Sequence, residues 1–197
     1  MTTIDPVFEK ASVEKIRLYL GTGAGKTTAT FGLALRALSK GMNVTLVFFD
    51  KREENSSEGK GLRLLAESRA EGFGRLTMNY TGVNRLGTGP KGSFRLYSSP
   101  NGILPEDKDA AALGLTYLAE GLRRKDDVVI GDELLDVARV GLVDWDGVKT
   151  TLAQRQDPSI LVLTGRRAPD WLMAEASTIS ATTQLKHHGR AIEGIDC

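Results

Sequence analysis

Gly25-Lys26-Thr27-Thr28, preceded by Gly21-Thr22-Gly23-Ala24, puts an ammonium group and two hydroxyls behind a glycine-rich run. Those residue types in that order suit a polyphosphate. Glycines let backbone N–H groups turn inward with no Cβ in the way, and a helix beginning there adds partial positive charge. Lys26 offers the phosphates a mobile point charge, and Thr27 offers Mg²⁺ a hydroxyl ligand. Farther along, Asp127-Val128-Val129-Ile130 runs into Gly131-Asp132-Glu133-Leu134. Two acids at the tip of an apolar strand, downstream of a phosphate loop, suit a second set of Mg²⁺ ligands. A helix N-cap, with Asp132 capping and Glu133 in the first turn, is the competing reading, and both can hold together. Lys26 and Glu133 are therefore the candidate catalytic residues, and Thr27, Asp132 and Glu133 the candidate metal ligands.

The common phosphate-loop pattern needs a glycine five residues before Gly25, where this chain has Leu20. Gly21 starts the loop instead, which makes it one residue shorter than the common form. A shorter loop grips the phosphate chain differently, so ordinary γ-phosphate hydrolysis does not follow from the motif. A glycine-rich turn carrying a chance Gly-Lys-Thr is the bland alternative, and the flanking elements argue against it.

Those elements alternate. Ile16 to Leu20 reads as a strand and Thr28 to Lys40 as a helix, with Phe31, Leu33, Ala34, Leu35, Ala37 and Leu38 on its apolar face and Gly41 ending it. Val44 to Phe49 is a continuous apolar run, as in a strand buried on both faces. The charged run Asp50 to Glu54 reads as a solvated loop, although the end of a strand keeps a ligand-facing role open. Gly61 to Ala70 suggests a short helix and Leu76 to Tyr80 a weaker strand. Residues 81 to 105 are dense in Gly, Pro and Ser, and a loop of that length is functional or disordered. Within it, Phe94 and Tyr97 are expected to anchor the loop, with a flat ligand as the other reading.

Glu106 to Arg124 repeats apolar residues at helical spacing, and short helices are expected at 137–140, 145–153 and 169–175. Ile160 to Leu163 is a further buried strand, followed by Thr164-Gly165-Arg166-Arg167. Those arginines suit a phosphate clamp or surface ion pairs. Ile179 to Leu185 is a last, weakly patterned strand before Lys186-His187-His188. Adjacent histidines are poorly spaced for joint metal ligation from a regular element. Strand and helix in turn imply an α/β fold with a mostly parallel central sheet flanked by helices. No repeat or linker divides it: an N-terminal arm, residues 1–14, precedes a single nucleotide-binding domain over 15–197.

The 197 residues carry 26 basic and 25 acidic side chains, so net charge gives no nucleic-acid footprint. The lone cysteine, Cys197, cannot pair within the chain. No apolar run approaches membrane length, and the first residues lack the core of a secretory signal. A cytoplasmic protein with no membrane partner is the expectation.

With these residues in hand, the chain resembles the P-loop ATP:corrinoid adenosyltransferases over about Lys15 to Asp196. GTGAGKTTATFGLALRA is similar to that family's short loop and following helix. VVIGDEL resembles its acidic strand end, ILVLTGRRAP its Thr-Gly-Arg segment, and LKHH with the terminal GID its closing residues. The resemblance implies a RecA-like P-loop domain that binds ATP, Mg²⁺ and a corrinoid substrate. It implies transfer of the 5′-deoxyadenosyl group to reduced Co(I), with release of triphosphate, by a homodimer supplied by a reductant protein. Residues Gly21, Thr22, Gly23, Ala24, Gly25, Lys26, Thr27 and Thr28 would hold the triphosphate, with Arg36, Arg166 and His187 as further phosphate contacts. Three features depart from the family pattern. Ala24 stands where the family has lysine, its Gly-Phe-Thr-Trp segment has no counterpart in TGVNRLGTG after Tyr80, and the stretch between His187 and Gly194 is shorter. A RecA-like ATPase, with Glu133 polarising a water, and a non-catalytic nucleotide- or corrinoid-binding module remain open.

Overall fold

The computed structural model describes residues 16–68, 71–157 and 159–186. Within them six strands form one sheet in the order β3-β2-β4-β5-β1-β6, and every pairing is parallel. The strands are β1 (Ile16–Leu20), β2 (Val44–Phe48), β3 (Leu76–Tyr80), β4 (Val128–Asp132), β5 (Ile160–Gly165) and β6 (Thr178–Ala181). Between them lie α1 (Lys26–Leu38), α2 (Ser57–Glu67), α3 (Pro105–Arg123), α4 (Leu134–Arg139), α5 (Trp145–Leu152) and α6 (Asp170–Glu175). This is an α/β fold of the RecA-like P-loop kind, and its sheet is wholly parallel among the described residues.

The strand pleat sends alternate side chains to two cores. Val44, Leu46 and Phe48 of β2, Val128 and Ile130 of β4, and Val162 of β5 pack against Phe31, Ala34, Ala37 and Leu38 of α1. Val47, Val129, Leu161 and Leu163 face the other way, onto α3, α4 and α5. β2 and β4 are buried along their whole length, which is why they read as continuous apolar runs. β3 and β6 form the two edges and are more exposed, which explains their weaker patterning.

Several boundaries differ from the sequence reading. α1 begins two residues early, at Lys26, because Gly25 caps it in a left-handed conformation (φ +99°) that glycine adopts without a Cβ penalty. α2 begins at Ser57, where the Ser56 hydroxyl accepts from the N–H of Gly59 and caps the helix. β6 stops at Ala181, and the chain then runs beneath the loop that follows β1. Asp132 does not act as an N-cap. It stays on β4, and Glu133 takes the cap position of α4 with φ +62° and no side-chain capping bond.

Candidate nucleotide and metal site

Parallel strands bring their C-terminal ends to one edge of the sheet, and every element of the site rises from that edge. The loop after β1 is built against the chain that leaves β6. Thr182 donates from its N–H to Leu20 O (2.8 Å) and from Oγ1 to Gly23 O (3.3 Å). Gly21 has φ +121°, and a Cβ there would lie 2.1 Å from Thr182 O. A Cβ on Gly23 would meet Gln184 N at 2.9 Å. These two glycines are required by close packing as well as by turn geometry. The N–H of Gly21 donates to Arg166 O (3.2 Å), tying the loop to the segment after β5.

Lys26 closes the loop from inside. Its Nζ donates to the carbonyl oxygens of Gly21 (2.8 Å) and Gly23 (3.0 Å). α1 carries no acidic residue in its first turn and no side-chain cap, so its N-terminal end keeps its positive character for an anion.

Asp132 is the centre of the polar network. Its side chain is 0% exposed. It accepts from Thr27 Oγ1 (3.0 Å to Oδ2), from Thr164 Oγ1 (2.8 Å to Oδ1) and from Lys51 Nζ (3.1 Å to Oδ2). Lys51 Nζ also donates to Thr27 Oγ1 at 3.0 Å. Three side chains, from α1, β5 and the loop after β2, thus meet at the one carboxylate at the end of β4. The N–H of Glu133 donates to Thr164 Oγ1 (2.8 Å), which fixes the sharp turn from β4 into α4.

The Glu133 carboxyl faces a cleft of about 520 Å³ that is also lined by Thr22, Lys26, Asp50, Arg85, Phe94, Leu96, Tyr97, Arg139 and Arg166. Burial pushes its carboxyl up to about 7. The Lys51 charge opposes that shift, while Asp132, Asp50 and Asp136 add to it. The donors gathered here are a hydroxyl and carboxylates, hard oxygen ligands that fit Mg²⁺. No cluster of three or more His, Cys, Asp or Glu side chains suited to a metal occurs among the described residues. A Mg²⁺ shared with nucleotide phosphates needs only one or two protein ligands, so the donor set still fits.

The opposite wall comes from the long loop between β3 and α3. Asp50, just past β2, adopts φ +55° and accepts from Tyr97 OH (2.6 Å) and Arg85 Nη2 (2.6 Å). The Arg85 guanidinium carbon lies 3.9 Å from the Tyr97 ring centre and 4.6 Å from that of Phe94. Arg95, buried in the same loop, donates to Gly102 O (2.6 Å) and to Asp107 Oδ1 of α3 (3.1 Å). Tyr97 is thus an anchor, as the sequence suggested. Phe94 instead remains 47% exposed beside the cleft, with Leu96 at 54%.

Not all candidate residues converge. Thr22, Lys26, Glu133 and Arg166 line the cleft, Gly21 is hydrogen-bonded to Lys26, and Thr27 and Asp132 are hydrogen-bonded to each other. Arg36 sits on the exposed last turn of α1, about 15 Å along the helix from Lys26 at 1.5 Å per residue, and does not reach the loop within one chain. Thr28 and Ala24 are exposed. His187, like the arm at 1–14, lies outside the described residues. Three contributors were not singled out from sequence. Lys51 was hidden in a charged run read as solvated, Thr164 was passed over for the arginines after it, and Arg85 sat in a loop without periodicity.

The family model for the ATP:corrinoid adenosyltransferases BtuR/CobO/CobP matches residues 13–196. A corrinoid adenosyltransferase of Salmonella typhimurium is 28% identical over 178 residues, covering 87% of this chain and 78% of that protein. A corrinoid adenosyltransferase of Pseudomonas aeruginosa is 25% identical over 180 residues, covering 88% and 77%. An uncharacterised protein of Nostoc is 30% identical over 190 residues, 91% of this chain, which spans only 46% of that relative's length.

Proposed function

The chain belongs to the ATP:corrinoid adenosyltransferase family, and from that membership we propose that it transfers the 5′-deoxyadenosyl group of ATP to the Co(I) of a corrinoid. The observation that carries the reading is a shared cavity. The loop lysine and the exposed apolar side chains of Phe94 and Leu96 line the same cleft, so a polyphosphate and a flat apolar partner would meet there.

In the proposed reaction the Co(I) lone pair attacks the ribose C5′, and the C5′–O bond breaks. Its electrons leave with triphosphate, and the cobalt ends as alkylated Co(III). No proton moves, so no general base is required. The protein's task is to neutralise the leaving group and to align C5′ with cobalt. Lys26 exchanges its two carbonyl acceptors for phosphate oxygens, the α1 N-terminus adds its dipole, and Arg166 contributes from the cleft wall. Thr27, Asp132 and Glu133 are the residues proposed to hold Mg²⁺, which when bound supplies positive charge against the triphosphate. Phe94 and Leu96 are proposed to receive the corrin face in place of the absent Gly-Phe-Thr-Trp segment. A cytoplasmic homodimer, fed Co(I) by a separate reductant protein, completes the reading.

Glu133 favours one rival. A carboxyl near pKa 7 beside a phosphate loop also suits activation of a water for γ-phosphate attack. Product analysis separates the two. The protein is incubated with Mg-ATP, with and without chemically reduced cobalamin. Intact triphosphate and an adenosylated cobalt spectrum, formed only with the corrinoid, are expected. ADP and phosphate without corrinoid would replace the transferase reading with an ATPase, and binding without turnover would leave a binding module.

A further inference from the structure

Lys51 occupies a telling position. Its ammonium lies 3.0 Å from Thr27 Oγ1 and 3.1 Å from Asp132 Oδ2, two oxygens of the proposed cation site that are themselves 3.0 Å apart. We propose that Lys51 is a positioning residue that holds the place of the divalent cation in the metal-free protein, so that the ammonium and the cation compete for Thr27 and Asp132. The inference rests on assigning those two side chains to the cation and not on the transfer reaction itself.

Asp132 is fully buried. A fully buried carboxylate is costly unless a cation and hydrogen bonds accompany it. Thr27 and Thr164 supply two hydroxyl donors, but Lys51 brings the one positive charge among the described residues that pairs with this carboxylate. A bound Mg²⁺ would need these oxygens at about 2.1 Å. An ammonium at hydrogen-bond distance from the same two oxygens blocks that approach, and two cations so close repel strongly. Only one can be present.

Lys51 is suited to leave. It is on the loop after β2, its side chain is 27% exposed, and its ammonium nitrogen lies 5.8 Å from the Phe48 ring centroid. Asp50 brings a carboxyl group nearby, in a groove that Lys51 also lines. The displaced ammonium can therefore move outward along a flexible stem without becoming buried and unpaired. The exchange also keeps Thr27 and Asp132 facing one another before the metal arrives.

A purely structural ion pair and a placeholder predict opposite signs. If Lys51 only braced the fold, its loss would loosen the ligands and weaken metal binding. If it competes, its loss strengthens binding. Mn²⁺ affinity of the full nucleotide-free chain, read by electron paramagnetic resonance, is compared for wild type, Lys51→Met and Lys51→Arg. Lys51→Met is expected to bind Mn²⁺ about tenfold more tightly, as for loss of one charge-assisted competitor, and Lys51→Arg to stay near wild type. Equal, weaker or absent binding in Lys51→Met overturns the proposal. A second measurement needs no variant: acetylation of Lys51 in wild type, followed by mass spectrometry, should accelerate severalfold when Mg²⁺ is added. An unchanged or slower rate also overturns it. Neither measurement contains ATP or a corrinoid, so failure of the transfer reaction and failure of this proposal are read separately.

Discussion

Thr164 Oγ1 donates to Asp132 Oδ1 at 2.8 Å while accepting from the N–H of Glu133 at 2.8 Å. Thr164 lies on β5, the strand inserted between the loop strand β1 and the acidic strand β4. One buried hydroxyl therefore fixes both acids of the proposed metal site. Thr164→Val keeps the shape and removes the hydroxyl, leaving a backbone donor and a buried carboxylate each one bond short. Chemical denaturation should show a loss of about 2 kcal/mol, and Mn²⁺ affinity should fall with it. Wild-type stability together with wild-type affinity would remove Thr164 from this role.

Lys26 makes a different kind of contact, to carbonyls of a loop that other bonds also brace. Gly23 O also accepts from Thr182, and the first helical bond of α1 runs from Ala29 N–H to Gly25 O without the lysine. Lys26→Met is thus expected to leave the denaturation midpoint nearly unchanged. Its ATP dissociation constant should rise at least about tenfold, the worth of a charge-assisted contact to phosphate. Unchanged ATP affinity, by calorimetry, would separate this lysine from the phosphates.

Glu133 sets a pH signature for the metal-free protein. Burial raises its carboxyl from an ordinary 4.5 to about 7, so between those values the folded chain holds a proton that the unfolded chain has released. Stability must then fall as pH rises from about 4.5 to about 7, by on the order of 3 kcal/mol for this group alone. Glu133→Gln imitates the protonated form and removes that slope. Asp50, which burial also raises, tilts both proteins in the same direction, so their difference isolates Glu133. Unfolding curves in chelator across this window check it, and parallel pH profiles would refute the shift.

Much of this was legible in the sequence because burial writes itself into residue order. β2 and β4 are apolar on both faces, and the glycine loop between β1 and α1 has the context that gives such a motif meaning. Strand order was not legible. Nothing in the local pattern around Thr164 says that β5 lies between β1 and β4, so its hydroxyl could not be assigned to Asp132. Lys51 fails for a similar reason. In a run with Arg52, Glu53 and Glu54 it resembles solvated charge, and only the register of β2 beside β4, Phe48 opposite Asp132, brings it to the carboxylate. Asp132 shows the limit of local rules: its neighbours suggest a cap, but Thr27 and Thr164 hold it on the strand.

Arg85 joins the far wall of the cleft to the sheet. It pairs with Asp50 at 2.6 Å, lies against the Tyr97 and Phe94 rings, and its carbonyl accepts from the N–H of Arg95 at 3.0 Å. Its side chain is only 12% exposed, so the pair is shielded from solvent more than a surface salt bridge is. Arg85→Ala removes the ion pair and the ring contacts together, and releases Phe94 and Leu96 from one fixed wall. The phosphate loop does not depend on this clamp, because its own bonds run to Thr182 and Arg166. The variant should keep ATP affinity within about twofold, while chymotrypsin cleaves after Phe94 or Leu96 severalfold faster under native conditions. If these two side chains receive the corrin face, cobalamin affinity should fall about tenfold in the same protein, the worth of one well-placed anchoring contact. Faster cleavage with unchanged cobalamin affinity would keep the clamp and move the corrin elsewhere.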